Sequence, residues 1–305
     1  MLQPPPVIET EVFARLPEFL QIKNRKSDWL EILGLGNDLG SFLEGPSFDR
    51  EGNLYVVDIP YGRVFRVTPD GTFHLVAEYD GEPNGLKIHK DGRIFIADHK
   101  NGIMLLDPAS GAVTPYCDRP VLERFRGVND LFFAESGNLY FTDQGRSGLQ
   151  DPTGRVFRLR PDGTLDKLLD NAPSPNGLVT NPEETQLFVG VTRGSCVWRV
   201  PLYRDGKAGA IGVFVFLQGG VGPDGMTFDV EGNMGVCHPG LGVVWLFSPR
   251  GEPLYRIESC AGVLPTNCAY GGPDGKSLFI TESQSGTILR AQLPTPGRVM
   301  YSHMD

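Results

Sequence analysis

One phrase of about eight residues recurs six times along the 305-residue chain and constrains its fold more than any other feature. In each copy a turn residue precedes a run rich in β-branched and aromatic residues, as in Glu51–Asp58 and Ser136–Asp143. The turn residues are spaced by 40, 45, 48, 47 and 43 positions: Gly52, Gly92, Gly137, Thr185, Gly232 and Gly275. A period of 40 to 50 residues is typical of propeller blades.

A second strand-like run follows each copy, as in Gly62–Val67 and Gly154–Leu159, and several of these runs end in a Pro-Asp-Gly-like turn. Such turns join antiparallel strands. The sequence therefore predicts an all-β fold, a six-bladed β-propeller with four-stranded antiparallel blades. The alternative, a β-sandwich or barrel, does not usually repeat one phrase six times.

The predicted domain organisation is a single propeller domain over residues 1–305. Residues 1–40 should contribute two features to it. We expect the N-terminal strand Glu11–Leu16 to become the outer strand of the last blade and so close the ring. We expect the polar insertion Gln21–Gly40 to form a lid over one face, together with the loop Gln144–Thr153.

A polar residue stands eight positions before the turn residue in five copies, and nine before it in the fourth copy, at the place where the innermost strand of each blade should begin. These residues, here called the ring, are Glu44, Asn84, Asn129, Asn176, Asp224 and Asn267. Because inner strands line the channel of a propeller, the ring should converge at one mouth. Carboxylate and carboxamide oxygens suit a hard cation such as Ca²⁺, Mg²⁺ or Mn²⁺. The alternative is that these Asn-Gly and Asp-Gly pairs merely shape turns, but the near-constant offset favours metal binding.

The second strand of each blade should end at the same mouth, because strand direction alternates. This expectation places a set of charged and imidazole side chains on that face: Asp58, Asp98, His99, Asp143, Arg193, His238 and Glu282.

Composition excludes some partners. Lys and Arg number 28 against 37 Asp and Glu, and the net charge of −9 offers no basic field for nucleic acid. No window is apolar enough for a membrane span, and the N-terminus lacks the pattern of a secretory signal. Five scattered cysteines predict reduced thiols, and we expect a cytoplasmic location.

Four motifs carry a resemblance to a known family: Ser41–Pro46, Asn129-Asp130, Ser174–Gly177 and Pro223–Met226. From about Phe13 to about Leu293 the chain resembles the senescence marker protein/gluconolactonase family, which includes regucalcin and is related to the squid-type diisopropylfluorophosphatase. The resemblance implies one divalent metal ion, with Ca²⁺ as the first choice and Zn²⁺, Mn²⁺ or Mg²⁺ as alternatives. It implies that Glu44, Asn176 and Asp224 hold this ion and that Asn129 is a further ligand or a substrate contact.

The resemblance further implies hydrolysis of a small-molecule lactone, a sugar lactone or related cyclic ester, by metal-activated water. Asp224 is the first candidate for the general base and His238 the second. Asn129, Asn84, Arg126 and His99 are candidate substrate contacts. Family members that prefer aldonolactones often carry an Arg two positions before the third-blade Asn, whereas Arg126 stands three positions before Asn129.

Two other functions fit the same fold. One is hydrolysis of phosphoesters or fluorophosphates, and the other is a non-catalytic propeller whose structural calcium supports binding of a partner. A serine-esterase mechanism is not expected, because no Gly-x-Ser-x-Gly motif occurs.

Overall fold

The computed structural model describes residues 4–36, 39–203 and 205–305. The chain begins with β1 (Val7–Glu9), β2 (Glu11–Arg15) and one short helix, α1 (Asp28–Leu33). Four 3₁₀ turns are described at Glu18–Leu20, Ile59–Tyr61, Thr192–Gly194 and Tyr301–His303. Within the described ranges no helix is both long and apolar enough to cross a membrane.

The remaining strands form six sheets, each with its innermost strand first in the chain for that blade. Blade 1 contains β3 (Leu43–Phe48), β4 (Leu54–Asp58), β5 (Arg63–Val67) and β6 (Phe73–Glu78). Blade 2 contains β7 (Pro83–Ile88), β8 (Ile94–Asp98), β9 (Gly102–Asp107) and β10 (Ala112–Cys117). Blade 3 contains β11 (Val128–Phe133), β12 (Leu139–Asp143), β13 (Gly154–Leu159) and β14 (Leu165–Ala172).

The strands of the other three blades follow the same order. Blade 4 contains β15 (Pro175–Thr180), β16 (Gln186–Val191), β17 (Cys196–Pro201) and β18 (Gly212–Phe216). Blade 5 contains β19 (Met226–Phe228), β20 (Met234–His238), β21 (Val243–Phe247) and β22 (Pro253–Glu258). Blade 6 contains β23 (Pro265–Gly271), β24 (Ser277–Glu282) and β25 (Thr287–Gln292).

The predicted six-bladed propeller is confirmed, including its closure. Strand β2 pairs antiparallel with β25, with Glu11 opposite Arg290, and so completes blade 6. One feature was not predicted: β1 pairs in parallel with β22, with Val7 opposite Arg256, and makes blade 5 five-stranded. The N-terminal segment therefore joins two neighbouring blades.

Apolar side chains fill the spaces between adjacent blades. Between blades 6 and 1, the Phe279 ring lies 5.0 Å from the rings of both Phe13 and Phe48, edge-on in each case. Between blades 2 and 3, Phe95 and Phe133 make a similar contact at 5.1 Å. Successive side chains of a strand point to opposite faces of its sheet, so each blade presents an apolar face to each of its two neighbours. The six blades therefore share a continuous core.

The C-terminal segment closes the far end of the channel. The Tyr301 ring stacks on Phe133 at 5.2 Å, and Arg50 Nε donates to the carbonyl oxygen of Ser302 at 2.8 Å. Residues of the inner strands and of this segment line a cavity of about 60 Å³ inside the channel. The opposite mouth is the one that carries the ring.

The predicted lid contains α1, which packs on a loop of blade 1. Its Trp29 and Leu30 are buried against Ile59 and Tyr61. Ser27 caps the helix by accepting from the Leu30 backbone N–H, and Gly34 ends it with a φ of 68°. Residues 37 and 38 of the predicted lid lie outside the described residues.

Candidate functional site

The ring lies where the inner strands begin. In five of the six inner strands the register with the second strand shifts at the ring residue, as it does between Glu44 and Ser47 and between Val128 and Leu131. Such bulges redirect side chains from the regular alternation of a strand. In blade 5, Asp224 stands two residues before the short strand β19.

The residue after each ring residue decides how closely neighbouring inner strands approach. It is glycine in four blades: Gly45, Gly85, Gly177 and Gly225. A Cβ on Gly225 would lie 2.2 Å from Cγ of Asn267, and one on Gly177 would lie 2.4 Å from the carbonyl oxygen of Asp224. Glycine is therefore required for this mouth to be as narrow as it is.

Glu44 is buried at the mouth, with 4% of its surface exposed. Its Oε2 accepts from the backbone N–H of Gly45 at 2.6 Å and from Nδ2 of Asn267 at 2.9 Å. Burial, and then the charge of Asp130, raise the pKa of Glu44 to about 8. An ionised Glu44 in this position therefore calls for a nearby cation.

Asp224 lies beside Glu44 but remains half-buried. Burial, followed by the charges of Glu44 and Asp130, raises the pKa of Asp224 well above its ordinary value, and a hydrogen bond from Asn176 partly offsets this. The structure thus brings Glu44 and Asp224, which are 180 residues apart in sequence, into one electrostatic site.

Two asparagines complete the predicted ligand set. Asn129 Nδ2 donates to Oε1 of Gln144 at 3.2 Å. Its Oδ1 is sealed from solvent and has no hydrogen-bond partner among the described residues. Asn176 Nδ2 donates to Oγ1 of Thr192 at 3.2 Å. An unsatisfied buried oxygen at this place is the kind of group that a cation or a bound ligand would satisfy.

Two further buried side chains belong to the same cluster. Asp130 is a third carboxylate, and Nδ2 of Asn267 donates both to Oδ2 of Asp130 at 3.2 Å and to Glu44. Sequence reasoning placed Asn267 in the ring without a role and did not select Asp130. A signal was available, because Asp130 stands where four other blades have glycine.

The charges of this cluster do not balance. Burial raises the pKa of all three carboxyl groups, the charge of Asp130 adds to the rise at Glu44, and the charges of Glu44 and Asp130 add to the rise at Asp224. The charge of Lys87 opposes the shifts at Glu44 and Asp130. A divalent cation would compensate the remaining two negative charges. In the described part of the chain no three acidic, His or Cys side chains are arranged to hold a metal. A site here would therefore need carboxamide oxygens, which the ring supplies.

His238 is fully engaged in structural contacts. Its Nδ1 accepts from Nε1 of Trp245 at 3.2 Å, and its Nε2 donates to the carbonyl oxygen of Gly219 at 2.9 Å in the tautomer that these partners assign. Burial lowers the pKa of His238. This geometry leaves no free nitrogen to accept a proton from water and does not favour His238 as a general base.

The other candidate substrate contacts lie in two different places. Asn84 is buried in the ring, and His99 is half-buried against Gly127 at the same mouth. Arg126 is exposed and not directed to the ring, because its Nη1 donates to the carbonyl oxygen of Thr153 at 2.8 Å. The structure therefore brings Asn84 and His99 to the mouth and leaves the guanidinium of Arg126 on the neighbouring loop.

Comparison with known proteins gives one family. The family model described as SMP-30/Gluconolactonase/LRE-like region matches residues 42–284. A gluconolactonase of Zymomonas mobilis is 32% identical over 286 residues, covering 83% of this chain and 79% of the relative. The lactonase drp35 of Staphylococcus aureus is 31% identical over 250 residues, covering 75% and 72% of the two chains. Among solved structures, a calcium-binding protein named regucalcin from Agrobacterium tumefaciens shares the fold with a TM-score of 0.77 at 22% identity, covering 98% of this chain and 99% of its own.

Proposed function

The chain belongs to the SMP-30/Gluconolactonase/LRE-like family, and we propose that it is a metal-dependent hydrolase that opens a small-molecule lactone. Its gluconolactonase and lactonase relatives support the reaction class. The observation that carries the metal dependence is the uncompensated cluster of Glu44, Asp130 and Asp224 beside the unsatisfied Oδ1 of Asn129.

The residues that would hold the cation are Glu44, Asn129, Asn176 and Asp224. All four offer oxygen, which favours Ca²⁺ and also suits Mg²⁺ or Mn²⁺, with Zn²⁺ as a further alternative. The neighbour from Agrobacterium tumefaciens, described as calcium-binding, supports Ca²⁺ as the first choice. When bound, such an ion supplies polarisation of the carbonyl group and lowers the pKa of water.

The side chains at the mouth supply the base and the substrate contacts. Asp224 is the base in this proposal, because it is the more exposed of the two ring carboxylates and both nitrogens of His238 are occupied. It takes a proton from the attacking water, whose oxygen forms a bond to the lactone carbonyl carbon. The C–O bond between the carbonyl carbon and the ester oxygen of the lactone then breaks. The proton passes to the departing oxygen, and a hydroxy acid is released. Asn84 and His99 contact the substrate.

The cytoplasmic location expected from the sequence stays a prediction.

The test is a lactone panel assayed with metal-stripped protein and with each metal restored. Activity should be lost on chelation and return with at least one of Ca²⁺, Zn²⁺, Mn²⁺ and Mg²⁺. Asp224→Asn should lower kcat by about 100-fold or more, because the group that takes the proton is gone. Its matched control is Asp162→Asn in an exposed turn, which should leave kcat unchanged.

Three outcomes would contradict parts of the proposal. Full activity after chelation would remove the metal from the mechanism. Full activity of Asp224→Asn would remove Asp224 as the base. Unfolding on chelation, without turnover of any lactone by the loaded protein, would instead support a structural cation.

A further inference from the structure

Charged residues are distributed unevenly around the mouth that carries the ring. Four loops of blades 5 and 6 lie at this mouth, because they lead into the inner strands or follow the second strands: residues 217–223, 239–242, 259–264 and 283–286. None of these residues is Asp, Glu, Lys or Arg, although such residues make up 21% of the chain. The loop that leads into blade 3, residues 118–127, contains five of them. The rim of the mouth is therefore uncharged on the side of blades 5 and 6.

Three aliphatic side chains are exposed on these uncharged loops: Val221, Leu241 and Val263, which together are called the apolar wall here. Between 38% and 47% of the surface of each residue is exposed. Apolar residues that are exposed singly are common on protein surfaces, whereas a contiguous apolar patch marks a binding site. The arrangement of the three loops decides which description applies.

Backbone hydrogen bonds join the three loops to one another. The N–H of Val221 donates to the carbonyl oxygen of Pro239 at 2.8 Å, and the N–H of Gly240 donates to the carbonyl oxygen of Val263 at 2.7 Å. Leu241 follows Gly240 directly and so lies on the middle loop of the three. The apolar wall therefore belongs to one continuous surface.

This surface begins beside the proposed base. Val221 stands three positions before Asp224 in the same segment, and the backbone N–H of Asp224 donates to the carbonyl oxygen of Cys237 at 2.9 Å. His238 fixes the start of the segment, because its Nε2 lies 2.9 Å from the carbonyl oxygen of Gly219. The apolar wall thus has a fixed position relative to Asp224.

Polar side chains of the blade 6 loops bond to the protein. Ser283 Oγ donates to the carbonyl oxygen of Leu43 at 2.6 Å, and Oε1 of Gln284 accepts from the N–H of Val263 at 2.9 Å. The guanidinium of Arg126, the one cation that the sequence suggested as a substrate contact, lies on the neighbouring loop. This side of the mouth therefore offers a substrate apolar surface in place of charged hydrogen-bond donors.

Building on the proposed lactone hydrolysis, we propose that the preferred substrate is a lactone that carries an alkyl chain and that the apolar wall binds this chain. Each methylene group that leaves water on an apolar surface strengthens binding. The hydroxyl groups of a sugar lactone gain nothing there, because they would lose water without finding a partner.

The experiment compares δ-valerolactone with δ-decalactone, which has the same six-membered ring and a five-carbon alkyl chain. The measured quantity is the kcat/KM for δ-decalactone divided by that for δ-valerolactone, with the metal that supports activity. This ratio should be about ten or more in the wild type, because the chain leaves water on the apolar wall. Leu241→Asn combined with Val263→Thr nearly keeps the side-chain volumes but removes apolar surface, and should lower the ratio about fivefold or more.

Leu75→Asn is the matched control, because Leu75 is similarly exposed, at 46%, but lies on the outer strand of blade 1. It should leave the ratio unchanged. A wild-type ratio of one or less, or an equal loss on both lactones in the double variant, would overturn the proposal. Failure of the wild-type protein to open any lactone with any metal would instead count against the proposed function.

Two other occupants of the apolar wall have their own signatures. Wild-type binding to phosphatidylcholine vesicles that the double variant loses, with an unchanged ratio, would assign the wall to a lipid surface and overturn the proposal. A dimer that the double variant dissociates, with an unchanged ratio, would assign it to a second copy of the chain and also overturn the proposal. Melting temperatures identify the variants that remain folded, and the wild-type ratio tests the proposal without any variant.

Discussion

At the scale of single residues, the most telling feature is the crowding of carboxyl groups around Glu44. Glu44 and Asp130 are buried, and the half-buried Asp224 shares their electrostatic site. Lys87 is held nearby by donating to the carbonyl oxygen of Pro46 at 3.3 Å. Removing carboxylates from water is costly unless a charge partner is present. The metal-free cluster should therefore retain protons that a bound cation would displace.

This competition predicts a pH dependence with a definite sign. Burial and the charge of Asp130 raise the pKa of Glu44 to about 8 from an unfolded value near 4.5. Its contribution to the stability of the metal-free protein is therefore fully present below about pH 4.5 and is lost as the pH rises toward 8. Binding of a cation requires the ionised form, so the rise in Tm on adding Ca²⁺ should be larger at pH 8 than at pH 6.

Differential scanning fluorimetry at pH 6, 7 and 8, with and without Ca²⁺, measures this difference. Comparing the two samples at one pH removes the contribution of all other titrating groups that the ion does not touch. Glu44→Gln is the control and should make the dependence shallower, with the remainder arising from Asp224. A rise in Tm that is the same at every pH in the wild type would show that Glu44 does not exchange protons for the ion.

At the scale of strands, a carboxylate at the end of the second strand has the same role in four blades. Each of these side chains is fully buried and accepts from the backbone N–H of the loop that leads into the inner strand. The pairs are Asp58 with Phe42, Asp98 with Glu82, Asp143 with Gly127, and Glu282 with Leu264. The strand ends were predicted correctly, and their contacts indicate that these acids position the ring.

The blade 3 example gives a stability prediction. Asp143 accepts from Nε of Arg155 at 2.6 Å, and Arg155 is only 4% exposed. Asp143→Ala would leave that guanidinium with only the exposed carboxylate of Glu123, at 3.3 Å, as a charge partner, and it would free two loop N–H groups. The free energy of unfolding should fall by about 3–5 kcal/mol.

Urea unfolding followed by tryptophan fluorescence measures the change. Asp118→Ala is the matched control, since it removes the carboxylate of an exposed pair with Arg119 and should change stability little. A small effect at Asp143 would mean that water or another acid compensates Arg155.

At the scale of the whole molecule, the segments near both chain ends stabilise the propeller. Near the N-terminus, β1 and β2 join blades 5 and 6. At the C-terminus, Arg298 donates to the carbonyl oxygen of Thr180 at 2.8 Å, and Tyr301 is buried against blade 3. The C-terminal segment therefore covers the end of the channel opposite the ring.

Removing residues 298–305 tests this arrangement. The truncation should lower Tm by about 5 °C or more, because the burial of Tyr301 and its neighbours is lost. Lactone hydrolysis at 25 °C should persist, because the ring lies at the other mouth. Tyr301→Phe, which keeps the stacking on Phe133, should lower Tm far less. An unchanged Tm in the truncated protein would show that the segment contributes no stability.

The sequence by itself determined the blade count, the ends of the second strands, the closing strand and the six ring positions. It could do so because a propeller repeats one local pattern of turns and alternating side chains, and each blade displays that pattern within about 45 residues. Tertiary structure decided the side-chain partners. The contact of Asn267 with Glu44 spans 223 residues, its contact with Asp130 spans 137, and the parallel pairing of β1 has no local signal. The occupied nitrogens of His238 and the direction of Arg126 likewise depend on loops that differ from blade to blade, and no repeat encodes them.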